Sequence, residues 1–258
     1  MWRRAMVKAG RPPQDPARQL ARAHQILDAA AELILRWGYD KTTVDDVATQ
    51  ADVAKGTIYL HWKTRDALFA ALLRRERVLM LEEVRAAAPG TLREVLRGLA
   101  GALLRRPLMR ALLLGDNEVL GRLGRQKRES VTTPVLTSAF ETYLGALAEL
   151  GVVRADRTPA EQLVVVSSVL YGFLVTQGLL PESARVPDDR LPELIADTAD
   201  RALSADPPAN GVAADAVPGG SAGRADAVAG ATRVYLDTVE DVARRKLALS
   251  LGVEESAT

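Results

Sequence analysis

The chain has 258 residues, 48% of them hydrophobic, and a formal net charge of +1. That length is sufficient for two domains with ordinary cores. The absence of cysteine excludes disulfides, thiolate chemistry and cysteine-type zinc sites, and two histidines in all argue against a transition-metal enzyme. The first residues lack the long apolar run of a secretion signal. We therefore expect a cytoplasmic protein with no catalytic site, metal or cofactor.

Residues 1–14 hold three arginines, one lysine, one glycine and two prolines and predict a flexible basic arm. Arg11 lies between Gly10 and Pro12, which suits insertion into a DNA minor groove, although a tail without fixed contacts has the same composition. Residues 1–65 hold 11 Lys and Arg against 7 Asp and Glu, while the remainder holds 23 against 26. The basic excess therefore lies in the N-terminal part of the chain.

Residues 15–63 predict three helices. Asp15 before Pro16 is a helix start, Thr43 with Asp46 resembles a capping box, and residues 51–53 suit a tight turn. Apolar residues keep helical spacing on both sides of that turn and would pack the pair against a core. This is the pattern of a helix-turn-helix, whose second helix enters the major groove of DNA.

Residues 17–73 resemble the DNA-binding domain of the TetR family of bacterial transcriptional regulators. The most specific part is the run Gly-Thr-Ile-Tyr-x-His-aromatic-Lys at residues 56–63, in which Trp62 replaces the usual Phe. Beyond about residue 85 the likeness is limited to helical character and length. The resemblance implies an all-α protein with an N-terminal three-helix helix-turn-helix domain followed by an α-helical ligand-binding and dimerisation domain.

The resemblance also implies which residues contact double-stranded DNA. Thr57 offers a hydroxyl and a methyl to bases, and Gly56 permits close backbone approach. Thr43 and Arg65 begin the second and fourth helices, where N–H groups attract phosphate. The residues that the resemblance assigns to base or phosphate contact are Lys55, Gly56, Thr57, Tyr59, His61 and Lys63.

Residues 64–204 predict a helical regulatory and dimerisation domain. Its clearest feature is the run of 19 uncharged residues at 162–180. Serine, threonine, glutamine and glycine interrupt this run, which weakens a membrane span and favours burial against a second copy of the chain. A homodimer is therefore expected.

The C-terminal region begins with a change of composition. Residues 205–230 contain 9 Ala, 5 Gly and 3 Pro and predict a mobile linker, and residues 231–258 predict a last helix and tail. The resemblance implies a four-helix dimer interface, in which the partner of the helix at 162–180 is either 190–203 or 231–251. We favour the second because it is longer and better charged on its outer face.

Together with these features, the resemblance implies a homodimeric repressor that a small-molecule effector releases from a pseudo-palindromic operator. The alternative is the same fold sensing a protein partner or no ligand. Effector, operator, regulated genes and the choice between repression and activation are not indicated by the sequence. The candidate residues for the walls of the effector site are also ordinary core residues by type. They are Met80, Leu103, Met109, Leu113, Phe140, Tyr143, Leu147 and Phe173. Asn117 and Tyr143 are the candidates for orienting a polar group of the effector.

Overall fold

A computed structural model describes residues 15–115, 120, 134–205 and 220–252. The described part is all-α, as the sequence predicts, with one short 3-10 turn at Glu182–Ala184. The helices are α1 (Pro16–Trp37), α2 (Val44–Gln50), α3 (Lys55–His61), α4 (Arg65–Ala86), α5 (Leu92–Leu104), α6 (Pro107–Leu114), α7 (Pro134–Glu149), α8 (Pro159–Leu179), α9 (Leu191–Leu203) and α10 (Gly220–Leu251).

The first three helices and the start of α4 share one core. Ile26 and Leu27 of α1, Ile58 of α3 and Phe69 of α4 are each at most 1% exposed. Burying a side chain of this size contributes about 1.5–3 kcal/mol, so these contacts fix the helices relative to one another. Trp62 joins the same core at 3% exposure, which fits the larger ring at that position.

The turn of the helix-turn-helix lies where the sequence predicts it. Thr43 caps α2, because its Oγ1 accepts from the Asp46 N–H (3.2 Å) while the Asp46 carboxylate accepts from the Thr43 N–H (2.8 Å). Asp52 has φ of 50°, a left-handed conformation that aspartate tolerates better than most residues. Gln25 of α1 donates to the Ala51 carbonyl at 2.8 Å and holds the turn against α1.

The second half of the molecule is a helical body built around α4. α5 packs on α4 and α9, and α9 packs in turn on α8. α10 packs mainly on α4 and α7 instead. Of the two candidate partners for a dimer interface, α9 lies beside α8 within the subunit, whereas the preferred last helix lies against α4 and α7.

The last helix is longer than the composition indicates, and the predicted boundary at residue 231 is wrong. Residues 220–230, assigned above to the linker, form the first three turns of α10. Alanine is the best helix former, and Val228 is buried against the body while Arg224 donates to the Gly151 carbonyl at 2.6 Å. These contacts offset the cost of the glycines. The other linker residues, 206–219, lie outside the described part.

The uncharged helix α8 has one side packed on the body and one side exposed. Gln162 is buried at its start and donates to the Arg154 carbonyl (2.7 Å), and Leu174 is buried near its end. Val164, Tyr171 and Leu179 are 63%, 46% and 79% exposed and follow one another at helical spacing. The helix is long and apolar enough to cross a membrane, with 11% of its most apolar window buried.

Candidate nucleic-acid interface

The outward side of α3 carries side chains that the core of the fold does not use. Ile58 and Trp62 point inward and are buried. On the opposite side, Tyr59 is 37% and Leu60 is 68% exposed. The exposed residues of this surface, called here the α3 outer face, are Lys55, Gly56, Tyr59, Leu60 and Lys63.

Gly56 is not required by any contact inside the described structure. A Cβ added there would meet no heavy atom within 4 Å. Glycine in a helix costs about 1 kcal/mol relative to alanine, so this position gives up stability without a packing reason. An external surface that approaches the backbone closely, such as a DNA strand, would supply that reason.

The two lysines of the α3 outer face differ in their surroundings. Lys55 Nζ lies 2.7 Å from Asp45 Oδ2, and this hydrogen bond raises the pKa of Lys55. A phosphate that contacts Lys55 must therefore share the ammonium group with Asp45. Lys63 follows α3, is exposed, and has no ion pair with the other described residues. Lys63 is thus the more available cation.

Thr57 and His61 lie on the flank of α3 and are half-buried. The His61 ring lies 5.2 Å from the Trp62 ring. Burial, and secondarily the nearby Arg22 guanidinium, lower the pKa of His61, so its imidazole is neutral near pH 7. His61 is therefore suited to a hydrogen bond with DNA rather than an ion pair.

Arg65 does not have the position expected for a phosphate contact. Its Nε donates to the Thr42 carbonyl (2.9 Å), another guanidinium nitrogen donates to the Tyr39 carbonyl, and the guanidinium lies 4.0 Å from the centre of the Tyr39 ring. These groups hold Arg65 at the junction of α1, α2 and α4. The start of a helix offers N–H groups to an anion, but here the side chain satisfies carbonyls of the preceding loop instead.

The remaining predicted site residues either cap a helix or lie outside the described part of the chain. Thr43 is exposed, and its hydroxyl is engaged with Asp46 in the cap of α2 (Oγ1 to Oδ2, 2.7 Å). Arg11 and Asn117 lie outside the described residues.

Sequence reasoning missed two residues. Tyr39 is 2% exposed, and its hydroxyl donates to the Asp66 carboxylate, so it joins the loop before α2 to the start of α4. Leu60 is an exposed apolar residue in the middle of α3. Leu60 had a detectable signal, because a residue two positions from each of the inward-facing Ile58 and Trp62 must lie on the opposite side of the helix.

Among the described residues, the candidate ligand-wall residues divide between two hydrophobic cores. Leu103 and Met109 belong to the core shared with α1–α4, with Met80 and Phe173 packed against it. Phe140, Tyr143 and Leu147 belong to a second core, which residues of α5, α7, α9 and α10 build together. Leu113 is 38% exposed.

Tyr143, expected to orient a polar group of the effector, is occupied by the protein. Its hydroxyl lies 2.8 Å from Thr232 Oγ1, and its ring stacks on Tyr235 at 4.8 Å. Burial raises the pKa of Tyr143 to about 12. The ring is therefore a structural link between α7 and α10.

Residues 26–72 match the family model of bacterial regulatory proteins of the tetR family. Over 60 residues the chain is 38% identical to the fatty acid metabolism regulator protein of Bacillus subtilis (23% of this chain, 31% of that one). Over 56 residues it is 41% identical to the HTH-type transcriptional repressor Rv1474c of Mycobacterium tuberculosis (22% and 30%). The matches span less than a third of the length of these curated relatives.

Solved structures match a larger part of the fold. A structure described as a SmeT–triclosan complex aligns with a TM-score of 0.56 over 72% of this chain and 93% of that one, at 20% identity. A TetR-family regulator from Mesorhizobium loti aligns at 0.53 over 72% and 96%, at 21% identity. More than a quarter of the present chain has no counterpart in either structure.

Proposed function

Because the chain belongs to the TetR family of bacterial regulatory proteins through its N-terminal domain, we propose that it is a homodimeric transcriptional regulator that binds a pseudo-palindromic DNA operator. The observation that carries this proposal is the α3 outer face. Its exposed lysines, its glycine and its tyrosine serve no core contact, and they match what a recognition helix presents to DNA.

The proposed roles follow from exposure and chemistry. Lys63 and Lys55 bind phosphates, and Tyr59 donates to a phosphate or a base. Gly56 lets the backbone of α3 approach the groove. Leu60 offers an apolar contact to a thymine methyl group, and Thr57 reaches the groove from the flank.

The dimer is proposed to form through α8 and the adjacent α9 of each subunit. The exposed side of α8 is uncharged and carries Val164, Tyr171 and Leu179, which a second copy would remove from water. Two recognition helices would then contact half-sites about 34–36 Å apart, which is the geometric reason for a pseudo-palindromic operator.

Release of the operator by a small molecule is the favoured mode of control. It is supported by the continuity of α4, which runs from the junction with α1 and α2 into the body without a break. The second candidate, control by a protein partner or by no ligand, is favoured by the packing of the expected wall residues into two separate cores.

The decisive experiment is selection of bound sequences from a random duplex pool. We expect an enriched two-fold symmetric site. In binding assays across salt concentrations, Lys63→Ala should weaken all sequences alike and lower the salt slope by about one for each subunit of the dimer. Arg245→Ala, a charge removal on α10, is the control and should leave the slope unchanged. A pool with no enriched sequence would contradict the proposal.

A further inference from the structure

A cleft lies between the C-terminal end of α4, the loop that follows it, and the middle of α10. Its volume is about 530 Å³, within the range of sites that hold small ligands. One wall is formed by Glu82 and Arg85 of α4 and by Pro89 of the loop. The other wall is a stripe of α10 that includes Arg233, Leu236, Asp237, Glu240 and Arg244. None of the wall residues expected from the sequence lines it.

The charged groups of this cleft are unequally satisfied. Arg85 Nε lies 2.7 Å from Asp237, and Arg244 contacts both Glu82 (2.9 Å) and Glu240 Oε1 (2.7 Å). Two arginines thus serve three carboxylates. The remaining cation, Arg233, is exposed and has no ion-pair partner among the described residues.

Glu240 is the least satisfied of the carboxylates. Its side chain is 5% exposed, and its Oε2 accepts no hydrogen bond from the described residues. Arg85 Nε is 3.5 Å from this oxygen, too long for a good hydrogen bond. A buried carboxylate oxygen without a donor is costly. Arg85 is half-exposed and already holds Asp237, so its guanidinium can turn aside and leave Oε2 to another N–H donor.

We propose that this cleft binds a small zwitterion that has an ammonium group at one end and a carboxylate at the other. The ammonium donates to Glu240 Oε2, and the carboxylate pairs with Arg233. The body of the ligand packs on Leu236, Ala86 and Pro89. The full set of six charged lining residues is formally neutral, so a ligand with both charges preserves that balance, whereas an anion or a cation alone does not.

The positions of the two anchors restrict the ligand further. Arg233 and Glu240 are seven residues apart on α10, which places their Cα atoms about 10 Å apart along the axis. The two charges of the ligand must therefore be separated by an apolar spacer. A compound with both charges on one carbon is too short to reach both anchors.

Binding here would join α10 to the end of α4 that lies farthest from the recognition helix. Because α4 is continuous, a changed angle between α4 and α10 alters the position of the helix-turn-helix domain. This regulatory consequence rests on the proposed function, whereas the binding site itself does not.

The test is titration calorimetry of the full-length protein with ω-aminocarboxylic acids, from glycine through 4-aminobutanoate and 6-aminohexanoate to 8-aminooctanoate. We expect 6-aminohexanoate to bind and glycine not to bind. Hexanoate, which lacks the ammonium, and hexylamine, which lacks the carboxylate, should each bind at least about tenfold more weakly.

Two variants test which residue binds the ammonium end of the ligand and which binds the carboxylate end. Glu240→Gln should weaken 6-aminohexanoate about tenfold or more and leave hexanoate unchanged, and Arg233→Gln should weaken 6-aminohexanoate and leave hexylamine unchanged. Arg245→Gln, on α10 but outside the cleft, should change nothing. Arg233 is exposed, so its variant keeps the fold even where Glu240→Gln disturbs it. Equal affinities for the three six-carbon compounds, or no binding by any ω-amino acid, would overturn the site.

The regulatory consequence is measured separately, as operator affinity with and without saturating 6-aminohexanoate. A changed affinity supports it, and an unchanged affinity overturns it while leaving the binding site established by calorimetry. Failure of the protein to bind DNA without any compound would instead contradict the proposed function.

Discussion

Two long helices of the body, α8 and α10, reverse the usual relation between hydrophobicity and burial. α8 has no charged residue after Glu161, yet one whole side of it is exposed. α10 has 32 residues and many charges, yet it docks firmly. Its Val239, Ala243 and Leu247 pack on Val78 and Leu81 of α4.

The difference shows that docking within a subunit depends on whether the apolar residues of a helix form one continuous stripe, and not on how many apolar residues the helix has. α10 presents one narrow apolar side to α4 and flanks it with ion pairs. The body covers one side of α8, and the exposed side carries Val164, Tyr171 and Leu179 among serine, threonine and glycine. Removing the apolar groups of that exposed side from water is worth about 25 cal/mol for each Å², which provides the driving force for a partner.

The largest expected effect comes from a charge on the exposed side of α8. Val164→Glu should raise the dimer dissociation constant at least about 100-fold, because an unpaired charge in an interface costs several kcal/mol. The matched control is Val234→Glu on α10, where the native valine is similarly exposed (67% against 63%). Sedimentation should show monomers for the first variant and dimers for the second; identical behaviour would break the comparison.

Truncating a buried residue of α10 should be the next largest effect. Leu236 is 4% exposed in a core with Val84 and Val95, so Leu236→Ala should lower the free energy of unfolding by about 2–4 kcal/mol. Leu249→Ala, at a position 80% exposed, should change it by less than about 0.5 kcal/mol. Urea unfolding at one fixed protein concentration measures both. Equal effects would mean that α10 is not docked as described.

Alkaline pH should loosen the junction of α7 and α10. Burial raises the pKa of Tyr143 to about 12, whereas a tyrosine in the unfolded chain titrates near 10. The folded state therefore keeps the Tyr143 hydroxyl protonated to a higher pH than the unfolded chain does. The resulting contribution to the free energy of unfolding, about 2–3 kcal/mol, is present below about pH 10 and is lost as the pH rises through 12. Tyr143→Phe should reduce the loss in pH-dependent unfolding, although at neutral pH it costs about 1 kcal/mol for the hydrogen bond to Thr232. An unchanged pH profile in the variant would exclude Tyr143 as its source.

The smallest expected effects are those of replacing an exposed or half-buried glycine by alanine, which should be favourable in α10 and unfavourable for dimer affinity in α8. An added Cβ meets nothing within 4 Å at Gly172 of α8 or at Gly230 of α10. Gly230→Ala should therefore stabilise the fold by up to about 1 kcal/mol in thermal unfolding. Gly172→Ala removes the same helix penalty but places a methyl group on the proposed dimer face, so dimer affinity should fall. A variant that stabilises the fold and leaves the dimer unchanged would place Gly172 outside the interface.

The helix-turn-helix was predictable because its signals are local. The cap at Thr43, the turn at 51–53 and the inward pair Ile58 and Trp62 each depend on neighbours within a few residues. The start of α10 was not, because residues 220–230 depend on Val228 packing against a body that is distant in sequence. The same limit applies to Arg65, whose carbonyl partners belong to the loop before α2.

That arrangement at Arg65 has a mechanical consequence. The Thr42 and Tyr39 carbonyls accept hydrogen bonds from the Arg65 guanidinium, and the Tyr39 hydroxyl donates to Asp66. These contacts connect the first turn of α4 rigidly to the helix-turn-helix domain. With 22 residues, α4 is a rod of about 33 Å. A rotation of α4 by about 3° around its C-terminal end therefore displaces the helix-turn-helix domain by roughly 2 Å, comparable to the H···O distance of one hydrogen bond. On an operator with a fixed half-site spacing, so small a rotation would remove contacts between α3 and the DNA.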